Sequence, residues 1–125
     1  MNDRSTGRSV MVDNLVEQFL SVALAQYDAI YVLDNQKYNR LYARMQEIRN
    51  QLRHMDGDQR RALLPLLAHP NVQGKQMAAN TLLGVAPIPA RRALEEVRDS
   101  GILPQCGDAS GMIRALDDGS FIPNR

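Results

Sequence analysis

The chain has 125 residues, of which 44% are hydrophobic and 23% are charged, the mixture expected of an ordinary globular protein. Its 15 basic and 14 acidic side chains leave a formal charge of +1. This near balance argues against a protein that binds nucleic acid through overall positive charge. With no tryptophan and only two phenylalanines, the chain also offers few aromatic side chains for stacking on bases.

The single cysteine and the hydropathy pattern bear on the cellular compartment. Cys106 has no second cysteine with which to pair, so an internal disulfide bond is excluded and a reducing compartment is favoured. No uninterrupted apolar segment of signal-peptide type is present, and none approaches the roughly 20 residues of a membrane span. We therefore expect a cytoplasmic protein with no membrane contact.

Two long apolar patterns open the chain and predict a helical hairpin. Apolar residues recur at steps of three and four over residues 10–33, and again over residues 38–52. Asp34-Asn35 marks the break between them. One continuous helix over residues 10–54 would be about 65 Å long with its apolar side unburied, so we expect an antiparallel hairpin. A contact between two chains through these helices is the open alternative.

The third helix is predicted after Asp56-Gly57-Asp58. Gly57 suits a left-handed position at the end of the second helix, and Asp58 suits a cap on the next one. That helix should continue to Ala68. Pro65 lies in its interior, where it removes one backbone hydrogen bond, so we expect a kink or a late start.

Three further helices are predicted beyond the next turn. His69-Pro70-Asn71 combines a helix stop with a residue suited to cap a fourth helix, over residues 72–85. A fifth helix follows the proline pair and ends at Ser100-Gly101. A loop at 102–107 should then lead to a short sixth helix capped by Asp108. No segment alternates apolar and polar residues over five positions, so no strand is expected.

The segment LLPLLAHPNVQGKQMAANTLLGVAP resembles one HEAT-type helical repeat. In that repeat a leucine-rich helix leads, through a short turn with proline, to a second helix that begins with a Val-Arg pair and carries a double alanine. Here His69-Pro70-Asn71 stands at the turn and Ala78-Ala79 at the double alanine. Gly74 and Lys75 depart from the pattern, which favours valine and arginine there. Because lysine cannot make the bidentate contacts of arginine, we expect an altered polar ladder between repeats.

The whole chain also resembles a family of small bacterial helical-repeat proteins whose function is not established, and that resemblance implies no catalytic residue. Together, the periodicity and the resemblance predict an all-α fold of about six helices, a HEAT-like α-α superhelix in a single domain. In chain order the predicted parts are a disordered N-terminus at 1–9 and one domain at 10–125, with a hairpin at 10–54, a HEAT-like pair at 58–85, a degenerate pair at 89–116 and a tail at 117–125.

No group of residues in the sequence forms a catalytic or metal-binding motif. His54 precedes Asp56 and Asp58 at a spacing that matches no established ligand set, and the two aspartates are better explained as helix caps. His69 precedes a proline in a turn, where a structural role is favoured. Cys106 has no base placed beside it by any motif. We therefore predict a protein that is not an enzyme and holds no cofactor or metal.

The arginines are the more informative cations, because 13 of the 15 basic residues are arginine. Arg40 and Arg44 lie one helical turn apart, so they share a helix face. The simplest interpretation is a solvated face that forms salt bridges with glutamates. The functional alternative is an arginine-lined surface that meets an acidic partner. The candidate partner-binding face comprises Tyr38, Arg40, Arg44, Arg61, Lys75, Arg91 and Arg92.

We expect a non-enzymatic module that binds another protein through one helical face. A narrower hypothesis is an immunity or antitoxin-like protein that masks a toxin. The alternative is a nucleic-acid-binding protein that uses the arginine face, and a homodimer stays open. An exposed apolar patch with tyrosine or leucine would favour protein binding. Clustering of Arg40, Arg44, Arg91 and Arg92 on one surface would favour nucleic acid, and two histidines converging with a carboxylate would indicate an enzyme.

Overall fold

The computed structural model describes the side chains of residues 10–125, and the backbone of residues 3–9 as part of the first helix. The elements are α1 (Asp3–Tyr31), α2 (Asn35–His54), a 3₁₀ segment (Gln59–Ala68), α3 (Val72–Leu82), α4 (Pro87–Asp99) and α5 (Gln105–Asp118). No strand occurs in the part of the chain described, and the predicted all-α class is confirmed. The first helix begins at Asp3 and not at Val10, so residues 3–9 are helical and not disordered as predicted, while residues 1–2 lie outside the described part of the chain.

The chain forms two compact units, residues 1–62 and residues 63–125. In the first, α1 and α2 pack against each other as a hairpin, with its turn where Asp34-Asn35 interrupts the apolar pattern. Met45, Ile48 and Leu52 form the buried side of α2, at the three- and four-residue spacing of a helix face. Asp34 caps α2, because its side chain accepts a hydrogen bond from the Lys37 backbone nitrogen at 3.0 Å.

The segment Gln59–Ala68 is a 3₁₀ helix and not the α-helix expected from its apolar pattern. Pro65 lies inside it and cannot donate a backbone hydrogen bond, and its ring would clash with the carbonyl four residues earlier in an α-helix. The prediction of a kink or late start was therefore wrong, since the tighter helix runs through the proline. In a 3₁₀ helix, side chains three residues apart lie above one another, which places Leu63 and Leu66 on one buried side.

The second unit is built around α3, which packs against α4 and also contacts α5. Asn71 caps α3, since its side-chain oxygen accepts hydrogen bonds from the Gln73 and Gly74 nitrogens, both at 3.0 Å. Most of α3 is buried, including Ala78 and Ala79, so small side chains let the neighbouring elements approach it closely. The helix ends at Leu82, three residues before the predicted end.

The last helix begins earlier than the sequence indicates. The segment 102–107 was predicted to be a loop ahead of a cap at Asp108, but α5 begins at Gln105 and Asp108 lies in its first turn. Gln105 is buried, and its side-chain nitrogen donates to the Gln73 side-chain oxygen on α3 at 2.9 Å. A contact over this sequence separation leaves no local pattern, which explains the wrong start.

Candidate interaction surface

Two adjacent arginines on α4 point to different surroundings. Arg91 bonds Asp117 on α5 through both terminal nitrogens, at 2.6 and 3.0 Å, and lies 3.5 Å from a Glu95 oxygen. The hydrogen bonds that Arg91 donates, those to Asp117 foremost, raise the pKa of Arg91, and the same contact lowers the pKa of Asp117. Arg92 is exposed and has no ion-pair partner among the residues described. The unneutralised charge on this part of α4 is therefore that of Arg92.

Arg92 stands at a groove between the 3₁₀ segment and α4, which we call the Leu64 groove. It has a volume of about 350 Å³ and is lined by Leu64, Leu67, Ala68, Pro89, Arg92, Ala93 and Glu96. Leu64 is 37% exposed, and Leu67 is half-buried. Because the two leucines lie three residues apart in a 3₁₀ helix, they share the side that faces the groove.

One further ion pair sets the charge at the groove. The Lys75 ammonium lies 2.5 Å from an oxygen of Glu96, and the Lys75 side chain is only 18% exposed. The carboxylate of Glu96 is thus neutralised by a lysine on α3. The groove therefore combines an apolar floor with one cation, Arg92, that is available to a partner. Such a surface can bury an apolar side chain and bind a carboxylate beside it.

The predicted partner-binding face is divided between the two units. Arg92 lines the Leu64 groove, Lys75 pairs with Glu96, which also lines it, and Arg91 is engaged by Asp117. The remaining members belong to the first unit. There, Tyr38 is half-buried, and Arg40 and Arg61 are exposed. Arg44 bonds Glu47 at 3.0 Å and also bonds the Gln18 side chain.

The leucines of the Leu64 groove were not among the predicted site residues. The sequence pattern treats Leu63, Leu64, Leu66 and Leu67 as one apolar stripe of a buried α-helix. In the structure, Leu63 and Leu66 are buried while Leu64 is partly exposed. Pro65 was the local signal, because a proline in the middle of the segment favours the three-residue period over the α-helical one.

The hairpin turn carries a second apolar feature that the sequence analysis did not single out. Tyr31, Val32 and Leu33 are consecutive and are 80%, 67% and 82% exposed. We call these three residues the hairpin tip. The periodicity had placed Tyr31 and Leu33 within the apolar pattern of the first helix. Hydropathy alone cannot show which residues of such a pattern lie beyond the element against which the helix packs.

A larger cleft lies at the N-terminal end of α4. It has a volume of about 530 Å³ and is lined by Leu83, Gly84, Pro87, Arg91, Leu116, Ile122, Pro123 and Arg125. The C-terminal tail forms one wall, because a side-chain carbon added at Gly84 would lie 1.6 Å from the Asn124 carbonyl oxygen. Ile122 remains 81% exposed. Arg91 is already paired with Asp117, so its charge is neutralised within the chain.

The two histidines serve local backbone structure. The Asn71 backbone nitrogen donates to Nδ1 of His69 at 2.9 Å, which holds the turn before α3. Nδ1 of His54 lies 2.9 Å from the Asn50 carbonyl oxygen within α2. No group of three or more His, Cys, Asp or Glu side chains that could hold a metal ion occurs among the described residues. In the same part of the chain, no helix has the length and apolar character needed to cross a membrane.

The comparisons with known proteins show one family, through a single family model. No curated protein matches the chain. A crystal structure of the protein RPA1889 from Rhodopseudomonas palustris CGA009 is similar, with 42% sequence identity, a TM-score of 0.88 and coverage of 90% of this chain and 93% of that one. The model of a family described as a domain of unknown function, DUF2019, matches residues 13–117 and so includes most of both units. The chain belongs to the DUF2019 family.

Proposed function

We propose that this chain is a non-enzymatic module that binds another protein, and that the Leu64 groove is its binding surface. The observation that carries the proposal is a partly exposed apolar groove beside an exposed and unpaired arginine, Arg92. A protein–protein interface needs a core that excludes water and a few anchoring residues, among which arginine is frequent. The groove and Arg92 supply both.

The partner's chemistry follows from the lining. Leu64, Leu67 and Ala93 can cover an aliphatic or aromatic side chain, whose burial provides most of the binding free energy. Arg92 can form a bidentate contact with a carboxylate next to that side chain. Glu96 is neutralised by Lys75, so it does not repel an acidic ligand as a free carboxylate would. The partner element is therefore apolar with an adjacent acidic group.

The HEAT-like interpretation supports the same proposal. If the 3₁₀ segment with α3, and α4 with α5, are two successive helix pairs, the Leu64 groove lies between the first helices of the two pairs. Stacked helix pairs expose extended surfaces of this kind to their ligands. An immunity or antitoxin-like role in the cytoplasm, in which the partner is a toxin, is the narrower version of this proposal.

The test is affinity capture of the tagged chain from extract of its own cells, with Arg92→Glu and Arg114→Glu compared with the wild type. Arg114 is also exposed, but it lies on α5 outside the groove. Arg114→Glu therefore changes the net charge of the chain by the same amount as Arg92→Glu without altering the groove. We expect one stoichiometric protein partner that survives nuclease treatment, is retained by Arg114→Glu and is lost with Arg92→Glu. Retention of that partner by Arg92→Glu would contradict the assignment of the groove.

A second candidate function, nucleic-acid binding, is favoured by one observation on α2. This helix carries five basic residues against the single acidic Glu47: Lys37, Arg40, Arg44, Arg49 and Arg53. Lys37 and Arg40 are exposed and share a helix face. The expected signature is binding to duplex DNA or RNA that weakens steeply with salt and is reduced by Arg40→Glu. Binding that is unaffected by salt or by this change would exclude it.

A further inference from the structure

The hairpin tip is a convex element with the chemistry that the Leu64 groove accepts. Its three consecutive apolar side chains, Tyr31, Val32 and Leu33, are largely exposed. Asp28 is exposed one helical turn earlier and shares a side of the helix with Tyr31 and Val32, because the Val32 nitrogen still bonds the Asp28 carbonyl at 3.1 Å. A carboxylate therefore lies beside the apolar side chains.

Leu33 is not only exposed but also occupies a backbone conformation that disfavours a side chain. Leu33 has a φ of 59°, in the left-handed region, where a side chain costs about 1–2 kcal/mol relative to the right-handed region. Its nitrogen bonds the Ile30 carbonyl at 3.1 Å, and the Asp34 nitrogen bonds the Ala29 carbonyl at 2.9 Å. This is a Schellman motif, and the residue that normally occupies its left-handed position is glycine.

Leucine at this position thus raises the energy of the free chain in two ways. It occupies a backbone conformation suited to glycine, and it leaves its side chain 82% exposed to water. Neither cost is offset within the tip itself. Contact with a concave apolar surface would offset the second cost, and every copy of this chain carries such a surface, the Leu64 groove.

The charges beside the two surfaces favour one orientation for a contact between the hairpin tip and the Leu64 groove. The groove has an apolar floor and the unpaired cation Arg92, and the tip has apolar side chains and the carboxylate of Asp28. A volume of about 350 Å³ is sufficient for one or two apolar side chains of this size. The two surfaces are therefore compatible in size, both apolar, and opposite in charge.

We infer that the hairpin tip of one copy docks in the Leu64 groove of a second copy, with Leu33 buried against Leu64 and Asp28 paired with Arg92. The inference rests on the proposed function, because it uses the same groove. It adds the identity of one occupant, a second copy of this chain. Self-association would then compete with any other partner for the groove.

The test measures the dissociation constant of self-association for the full chain by analytical ultracentrifugation over a wide concentration range. We expect Leu33→Gly and Arg92→Asp each to raise that constant about tenfold or more, as the loss of an interface anchor does. Because glycine suits the backbone at position 33, Leu33→Gly should remain folded, as circular dichroism will verify. Ile122→Ser is the matched control, since Ile122 is equally exposed but lies outside both surfaces.

The charge-swapped variant Asp28→Arg with Arg92→Asp sharpens the result. We expect it to associate more tightly than either single variant, because the ion pair is restored with reversed sign. A wild-type chain that stays monomeric at its highest soluble concentration would overturn the inference, as would association unaffected by Leu33→Gly. Either outcome leaves the proposed function to its own test, the loss of a captured partner with Arg92→Glu.

Discussion

Leu33 and Asp58 are the two residues other than glycine that adopt left-handed backbone conformations in the part of the chain described, with φ of 59° and 53°. Their side chains differ in what they contact. Asp58 accepts hydrogen bonds from Nε and Nη2 of Arg60, at 2.9 and 2.6 Å, and the Arg60 side chain is only 5% exposed. Leu33 extends into solvent.

The difference separates two reasons for a costly backbone conformation. At Asp58 the cost is offset inside the molecule, because the turn aims a carboxylate at a buried guanidinium. At Leu33 the internal hydrogen bonds of the Schellman motif involve only the backbone, and glycine would form them equally well. A residue whose side chain is held inside the molecule and one whose side chain is left exposed can thus share one backbone conformation.

The largest effect is expected from Asp58→Ala. This change leaves the buried Arg60 guanidinium without its carboxylate while the left-handed backbone still carries a side chain, so we expect the free energy of unfolding to fall by about 3 kcal/mol. Urea denaturation followed by circular dichroism measures it. Asparagine tolerates the left-handed region and keeps a hydrogen-bond acceptor, so Asp58→Asn should lower the free energy of unfolding by less than Asp58→Ala does. Equal losses in the two variants would contradict this account.

The pH dependence of the same site gives an independent check. The hydrogen bond from Arg60 lowers the pKa of Asp58 below its ordinary value. A depressed folded-state pKa contributes stability that is present above the unfolded pKa, about 3.9, and is lost as pH falls through the folded value. We therefore expect the wild type to exceed Asp58→Asn in stability at neutral pH, with the difference shrinking below about pH 4. A difference independent of pH would contradict the ion-pair explanation.

The opposite sign is expected for Leu33→Gly. Glycine removes the energetic cost of a side chain in the left-handed region. This gain should exceed the cost of the larger conformational entropy that glycine gives the unfolded chain, so we expect the free energy of unfolding to rise by about 0.5–1 kcal/mol. Leu33→Ala retains a side chain in the left-handed region and should show little gain. Thermal and urea unfolding at a concentration below self-association compare the two. A loss of stability with glycine would show that Leu33 has an internal role.

The smallest effect is expected from Asp117→Asn. The Asp117–Arg91 pair has good geometry, but both side chains are well exposed, and water and salt screen such a pair. We expect no resolvable change in the unfolding midpoint. This result would show that geometry alone does not make an ion pair stabilising and that the burial of Arg60 is what matters at Asp58. A large loss would place Asp117 among the structural residues.

Local signals in the sequence predicted the features that local chemistry controls. The cap at Asn71, the left-handed Gly57 and the break at Asp34-Asn35 each depend on a few neighbouring atoms, and each occurs where the sequence indicates. The exposure of the hairpin tip was not predictable, because its residue types resemble core positions in any hydropathy pattern. The exposure of Leu64 had one local signal, the three-residue period that Pro65 favours. The first residue of α5, Gln105, contacts Gln73 on α3 across the whole of α4 in sequence, and no local pattern shows such a contact.

The arginines also have some properties that the sequence shows and others that only the tertiary structure shows. Their number and their spacing on α2 and α4 can be counted in the sequence, but which of them is free cannot, because that depends on the carboxylate each one meets. Arg91 is paired by a residue of α5, and Arg92, its immediate neighbour, has no ion-pair partner within residues 10–125. The sequence by itself determined the helical class and most helix ends, through periodicity and backbone capping. Only the tertiary structure decided which apolar and cationic side chains are left for a partner, because packing between distant segments buries one residue and exposes the next.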